Sequence, residues 1–221
     1  MGWQAMGRIF SVNNVGFGLF WAFCFLMAIV SMRFVFLGLD DIALGVRHML
    51  HHFENRPLSL YSHAVVSTLP ILILPLQFWG RLRETHNRTH RFTGAAYVAC
   101  VLVGGIAGFH LGLNTELRPI GALGFILGAA IWVGVTLIAT FHIIRKDKKR
   151  HGQWMLLSGA MTFAAVGIRF EFPLFRHVFG INYDLAYEMS AWSCWVVNLL
   201  IIYVWSGLRA PGAVPRFTGS S

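Results

Sequence analysis

The stretch from Tyr61 to Gly105, YSHAVVSTLPILILPLQFWGRLRETHNRTHRFTGAAYVACVLVGG, limits what this chain can fold into more than any other. Two apolar runs flank a short basic hinge that holds Arg81, Arg83, Arg88 and Arg91 with His86 and His90. Each run is about 20 residues, the length at which an α-helix crosses a hydrocarbon layer roughly 30 Å thick. Short basic loops stay on the cytoplasmic side, so arginines between two such runs mark the inner end of a helical hairpin.

The same pattern extends along the chain. Hydrophobic residues make up 56% of it and mean hydropathy is +0.61, too apolar for a soluble domain of 221 residues. Apolar runs predict six helices at 15–39, 60–80, 92–113, 120–144, 154–175 and 186–208, with charges confined to the gaps. The expected fold is therefore all-α, a polytopic membrane bundle of six transmembrane helices with both termini inside. It divides into a cytoplasmic segment 1–14, a six-helix domain 15–208 and a cytoplasmic tail 209–221 expected to be disordered. Twelve of the lysines and arginines then fall on the inner side and six on the outer, as this orientation requires. The N-terminus lacks a cleavage pattern, so the first run is expected to remain as an anchor.

These features narrow the function classes. The net charge of +9 sits in inter-helix loops rather than along one face, which argues against nucleic acid. Cys24, Cys100 and Cys194 all lie in apolar runs without paired spacing, indicating neither a disulfide framework nor a zinc site. Ser62-His63 lacks a nucleophile elbow and no HExxH helix is present, so nothing commits the chain to hydrolysis.

The polar residues inside the spans form two layers. Arg33, His63, His110, Arg169, Glu171 and Glu188 fall toward the outer face; His90, His142 and His151 fall toward the inner one. A charge at membrane depth costs about 2.5–3.5 kcal/mol on insertion scales and so turns inward to a partner. Glu171 lies about 200° around the helix from Arg169, so Arg169 is expected to meet Glu188, Asp184 or a bound ligand instead. Snorkelling of Arg33 and Arg169 to the interface is the structural alternative. His48, His51 and His52 share a helical face in a loop, a spacing open either to a surface metal or to plain solvation. No metal site is assigned.

The order of motifs is similar to that of a bacterial membrane family catalogued as domain of unknown function 2306. The resemblance rests on Tyr61-Ser62-His63, Leu74-Pro75-Leu76-Gln77-Phe78, His90-Arg91-Phe92-Thr93-Gly94 and Arg150-His151-Gly152-Gln153-Trp154-Met155. It continues through Thr162-Phe163-Ala164-Ala165 to Arg169, then Trp192-Ser193-Cys194-Trp195-Val196-Val197-Asn198, covering residues 25–205. It implies a polytopic bacterial inner-membrane protein of unassigned role, with Arg33, His63, Gln77, His90, Arg91, His151, Trp154, Arg169 and Asn198 at motif positions. Val197 stands where the family has Pro, and Gly152 where a basic residue is common.

Two function classes fit these residues. One is a b-type haem electron carrier, with His90 and His151 as an inner ligand pair and Arg91 near the carboxylates. In that reading His63 and His110 form an outer pair, with Arg33 and Arg169 for propionates. The other is a transporter, sensor or accessory subunit, with Arg33, His63 and Arg169 forming an outward-facing site for an anion or a quinone headgroup. The implied partners are the lipid bilayer and a membrane protein or quinone.

Overall fold

The computed structural model describes residues 14–37 and 49–209, and side chains from 16 to 33 and from 49 to 205. The predicted segment 1–14, except its last residue, and the tail beyond Arg209 lie outside the described residues, as does His48. The helices are α1 (Asn14–Leu37), α2 (Leu50–Asn55), α3 (Pro57–Tyr61), α4 (Leu69–Phe78), α5 (Gly80–Thr85), α6 (Asn87–Leu113), α7 (Pro119–Ile144), α8 (Lys148–Thr162), α9 (Ala164–Pro173) and α10 (Tyr183–Arg209). Two short π-helical segments, Ser62–Val66 and Leu174–Val178, join α3 to α4 and follow α9. Six helical stretches are long and apolar enough to cross a membrane: Gly16–Arg33, Pro57–Phe78, Asn87–Leu113, Pro119–Ile144, Lys148–Val178 and Tyr183–Trp205. The chain is an all-α, multi-pass membrane protein.

Two spans differ from the sequence expectation. The second is broken where the sequence predicts a single helix over 60–80. Pro70 has no N–H for the carbonyl one turn before it, and the backbone ahead of it loosens into the π segment. Hydroxyls take up the slack: Ser67 donates to the His63 carbonyl, and Thr68 Oγ1 to that of Ala64 at 2.7 Å. The fifth span begins at Lys148 rather than 154, because Asp147 caps it by accepting from the Arg150 N–H at 3.0 Å. The basic run Lys148-Lys149-Arg150 is thus a first helical turn and not a loop.

The least apolar span supplies the most buried helix. Every residue of α8 from Gly152 to Thr162 is buried. It packs along α7 and α10, while α6 also packs on α7 and carries α4 and the Ser62–Val66 segment. Leu74, Tyr97, Val101, Trp132, Met155, Met161 and Trp195 form the shared core. Outward faces are greasy, as in Leu19 (68% exposed), Ile106 (64%) and Ile201 (58%), the surface that lipid rather than water covers.

Polar side chains fasten the helices where apolar contact with lipid gives no preference. Tyr97 Oη meets Ser158 Oγ at 2.8 Å and Thr162 Oγ1 at 2.7 Å. Trp132 Nε1 donates to Thr162 Oγ1 at 3.0 Å, and Thr136 Oγ1 lies 2.7 Å from Ser158 Oγ. This cluster ties α6, α7 and α8 together at one level. Gln77 donates to Thr93 Oγ1 at 2.7 Å, joining α4 to α6. On α10, Trp192 Nε1 donates to the Ile120 carbonyl at 2.8 Å and Asn198 Nδ2 to that of Ala160 at 3.2 Å. Gln77, Thr93, Trp192 and Asn198 of the motifs therefore act as staples between helices.

Candidate functional site: a cationic cavity opposite the basic loops

A cavity of about 690 Å³ opens at the end of the bundle away from the basic loops Arg81–Arg88 and Arg145–Arg150. Its wall brings Arg33 of α1, His63 of the first π segment and Arg169 of α9 onto one space. Arg176 and His177, from the second π segment, and His52 of α2 also line it, with Tyr187 of α10. Both π segments thus border the cavity, and such irregular turns are common where a helix positions a functional group. Apolar side chains, among them Leu60, Leu111, Trp132, Met161 and Trp195, build much of the remaining wall.

Two of the arginines are held by backbone carbonyls rather than by an acid. The Arg169 guanidinium donates to the Ala165 carbonyl one turn back, and Arg176 to the Ile181 carbonyl at 2.8 Å. Arg33 lies close enough to repel Arg169, and Arg169 in turn acts on His63. One of the acids expected to serve Arg169, Glu188, is engaged elsewhere. Glu188, 4% exposed, accepts from Nε and Nη2 of Arg118, the Nε bond being 2.7 Å. Glu188 raises Arg118 above its ordinary pKa through that pair. Glu171 accepts from Ser193 on α10, so it does face away from Arg169. Among the described residues Arg169 forms no ion pair.

The imidazoles separate into distinct roles. His63 Nδ1 meets the Gly104 carbonyl at 2.8 Å, and because a carbonyl only accepts, that nitrogen carries the hydrogen. Close approach needs Gly108, where a Cβ would stand 2.6 Å from His63 Nδ1. His110, the expected outer partner of His63, bonds Ser59 Oγ at 2.9 Å on an exposed face and does not line the cavity. His90 and His151 are neighbours at the basic end, also off the cavity. His151 Nδ1 donates to the Ala139 carbonyl at 2.9 Å, His90 Nδ1 is buried without a hydrogen-bond partner among the described residues, and Arg91 is exposed.

The rings of His51 and His52 are tilted by 42° with centroids 3.7 Å apart. His51 bonds the Asn114 carbonyl at 3.0 Å, and its Nδ1 lies 3.7 Å from Glu116, whereas His52 is buried against the cavity. Among the described residues no group of three or more His, Cys, Asp or Glu is placed to hold a metal ion. Burial, then the charges of His51, Arg56 and His110, push the His52 imidazole down to about 4 from its ordinary 6.5. Between those values the unfolded chain binds a proton that the folded chain refuses, so stability falls as pH drops from 6.5 toward 4. Thermal melts across that range are expected to show a shallower pH slope for His52→Gln than for the wild type. Equal slopes would remove His52 as the cause.

Sequence reading reached Arg33, His63 and Arg169 but missed His52, Arg176, His177 and Tyr187 as cavity residues. It also missed the Tyr97 cluster, although a signal existed. Ser158 lies seven residues after His151 and Thr162 four further on, spacings that keep all three near one face of a helix.

No curated protein and no solved structure matches the chain. The family described as predicted membrane protein DUF2306 matches residues 60–206, a segment that holds four of the six spans whole and most of a fifth, with His63, Arg169 and every staple described above. Since that match covers well over half of the sequence, the chain belongs to the DUF2306 family of predicted membrane proteins.

Proposed function

We propose that this protein sits in the bacterial inner membrane, both termini inside, and binds an acidic amphiphile in the cavity on its outer side. The orientation is supported by the twelve-to-six distribution of lysine and arginine, which puts the basic loops in the cytoplasm. The observation that carries the binding role is Arg169: a cation in the outer part of the fifth span, facing Arg33, with no ion pair among the described residues. An anion entering there relieves a like-charge repulsion and supplies the missing partner. Apolar walls in the same cavity as the arginines suit a ligand whose acidic head is joined to an apolar body rather than a free inorganic ion. Such a protein carries, senses or presents its ligand within the bilayer, as a transporter, a sensor or a subunit of a larger membrane assembly would.

Trp132 and Trp195 on the cavity wall make the binding directly readable. Full-length protein in neutral detergent is titrated with a dodecyl phosphate brominated on its chain, which quenches nearby indoles. Saturable quenching is expected for the wild type and is expected to be lost in the Arg33→Gln/Arg169→Gln double variant. Inorganic phosphate should compete weakly and brominated dodecanol should not saturate. Identical curves for wild type and double variant would refute the site.

A further inference from the structure

We infer that the acidic amphiphile is an iron tetrapyrrole bearing two carboxylate arms, with iron on His63 Nε2 and the arms on Arg33 and Arg169. This rests on the reading of the cavity as an anion site and narrows its ligand. The argument begins with the imidazole. Its Nδ1–H is committed to the Gly104 carbonyl at 2.8 Å, so the neutral ring presents a lone pair at Nε2. That nitrogen has no hydrogen-bond partner among the described residues. A lone pair facing an anionic oxygen is repulsive; a lone pair facing a metal is a ligand. A histidine that donates its other nitrogen to a backbone carbonyl is the usual arrangement around metal-bound imidazole, because the donated bond fixes tautomer and ring orientation.

The surroundings fit the rest of such a molecule. Two arginines stand on the same cavity as His63, one for each carboxylate. Leu60, Trp132 and Met161 supply apolar wall for a flat body. The volume, about 690 Å³, falls within the roughly 300–1,000 Å³ typical of pockets for ligands of this class. Gly108 lets the imidazole seat against the backbone of α6, and the π segment sets where on its span His63 emerges. This places the iron at one proximal histidine in the outer cavity, not between His90 and His151, which lie at the basic end and off the cavity.

The test is a hemin titration of the full chain, purified in neutral detergent from haem-depleted cells and followed by the Soret band. Saturable binding at one hemin per chain is expected, with the single broad visible band of a five-coordinate iron on reduction. His63→Ala should weaken binding at least about tenfold and alter the spectrum. Arg33→Gln/Arg169→Gln should weaken it as well, and His90→Ala and His151→Ala should leave it unchanged. Dodecyl phosphate quenching, retained in His63→Ala or in the more conservative His63→Gln, shows that the variant is folded. No saturable hemin binding by a wild type that still takes dodecyl phosphate overturns the tetrapyrrole and leaves the amphiphile site standing. Loss of hemin in His90→Ala or His151→Ala with wild-type behaviour in both His63 variants overturns it too. Binding of neither probe removes both readings.

Discussion

Arg169→Met is expected to stabilise the ligand-free protein by about 1–4 kcal/mol while abolishing its response to an acidic amphiphile. The opposite signs follow from the geometry. Arg169 lies on an internal wall, its guanidinium satisfied in part by the Ala165 carbonyl and repelled by Arg33. Replacing a charge that lacks an ion pair by an apolar chain of similar volume removes both the desolvation cost and the repulsion. A residue kept only for packing would lose stability on the same change. Unfolding in detergent, with ligand stripped by extensive exchange, reads the first sign; the quenching titration reads the second. Destabilisation without change in quenching would assign Arg169 a packing role alone.

The largest stability loss is expected at Tyr97, where substitution should cost about 3–5 kcal/mol for Tyr97→Ala. The side chain is fully buried and its hydroxyl joins Ser158 and Thr162, through which Trp132 and Thr136 are also tied. Tyr97→Phe isolates the polar part and should cost about 1–3 kcal/mol, because Ser158 loses a partner at a depth with no water to replace it. Between helices the links draw on the hydroxyl hydrogens of Tyr97 and Ser158 and on the Trp132 N–H. Thr162 gives its hydrogen to the Ser158 carbonyl at 3.0 Å and Thr136 to the Trp132 carbonyl at 2.8 Å, so the hydroxyls close on backbone within the bundle. A Tyr97→Phe variant as stable as wild type would show that apolar packing alone holds α6 to α8.

The six spans were legible because a bilayer imposes one length and one composition on any helix that crosses it, and runs such as 120–144 meet both without ambiguity. Arg33, His63 and Arg169 were legible for the converse reason: polar groups inside such runs are costly, so each asks for a partner. Which partner was not legible. Glu188 stood at the right depth for Arg169, yet Arg118 reached it from the turn before α7, and nothing in helical spacing ranks one cation over another. The break at Ser62–Val66 was hidden for a different reason. Pro70 and Pro75 predict a bend but not how carbonyls upstream are recaptured, which depends on Ser67, Thr68 and the neighbouring α6. The start of α8 was misplaced because Lys148-Lys149-Arg150 reads as a solvated loop until Asp147 is recognised as its cap.

If the outer cavity carries positive charge that only a ligand completes, the ligand must stabilise the fold through Arg169. The direct measurement is the stability of wild type and Arg169→Met against rising dodecyl phosphate at constant detergent, with dodecanol as the uncharged control. At a hundredfold excess over its Kd the phosphate should add about 2.7 kcal/mol to the wild type, by mass action on the folded state. Arg169→Met should show no more than the small response both proteins give to dodecanol. Equal stabilisation of the two proteins by dodecyl phosphate would contradict a site built on Arg169.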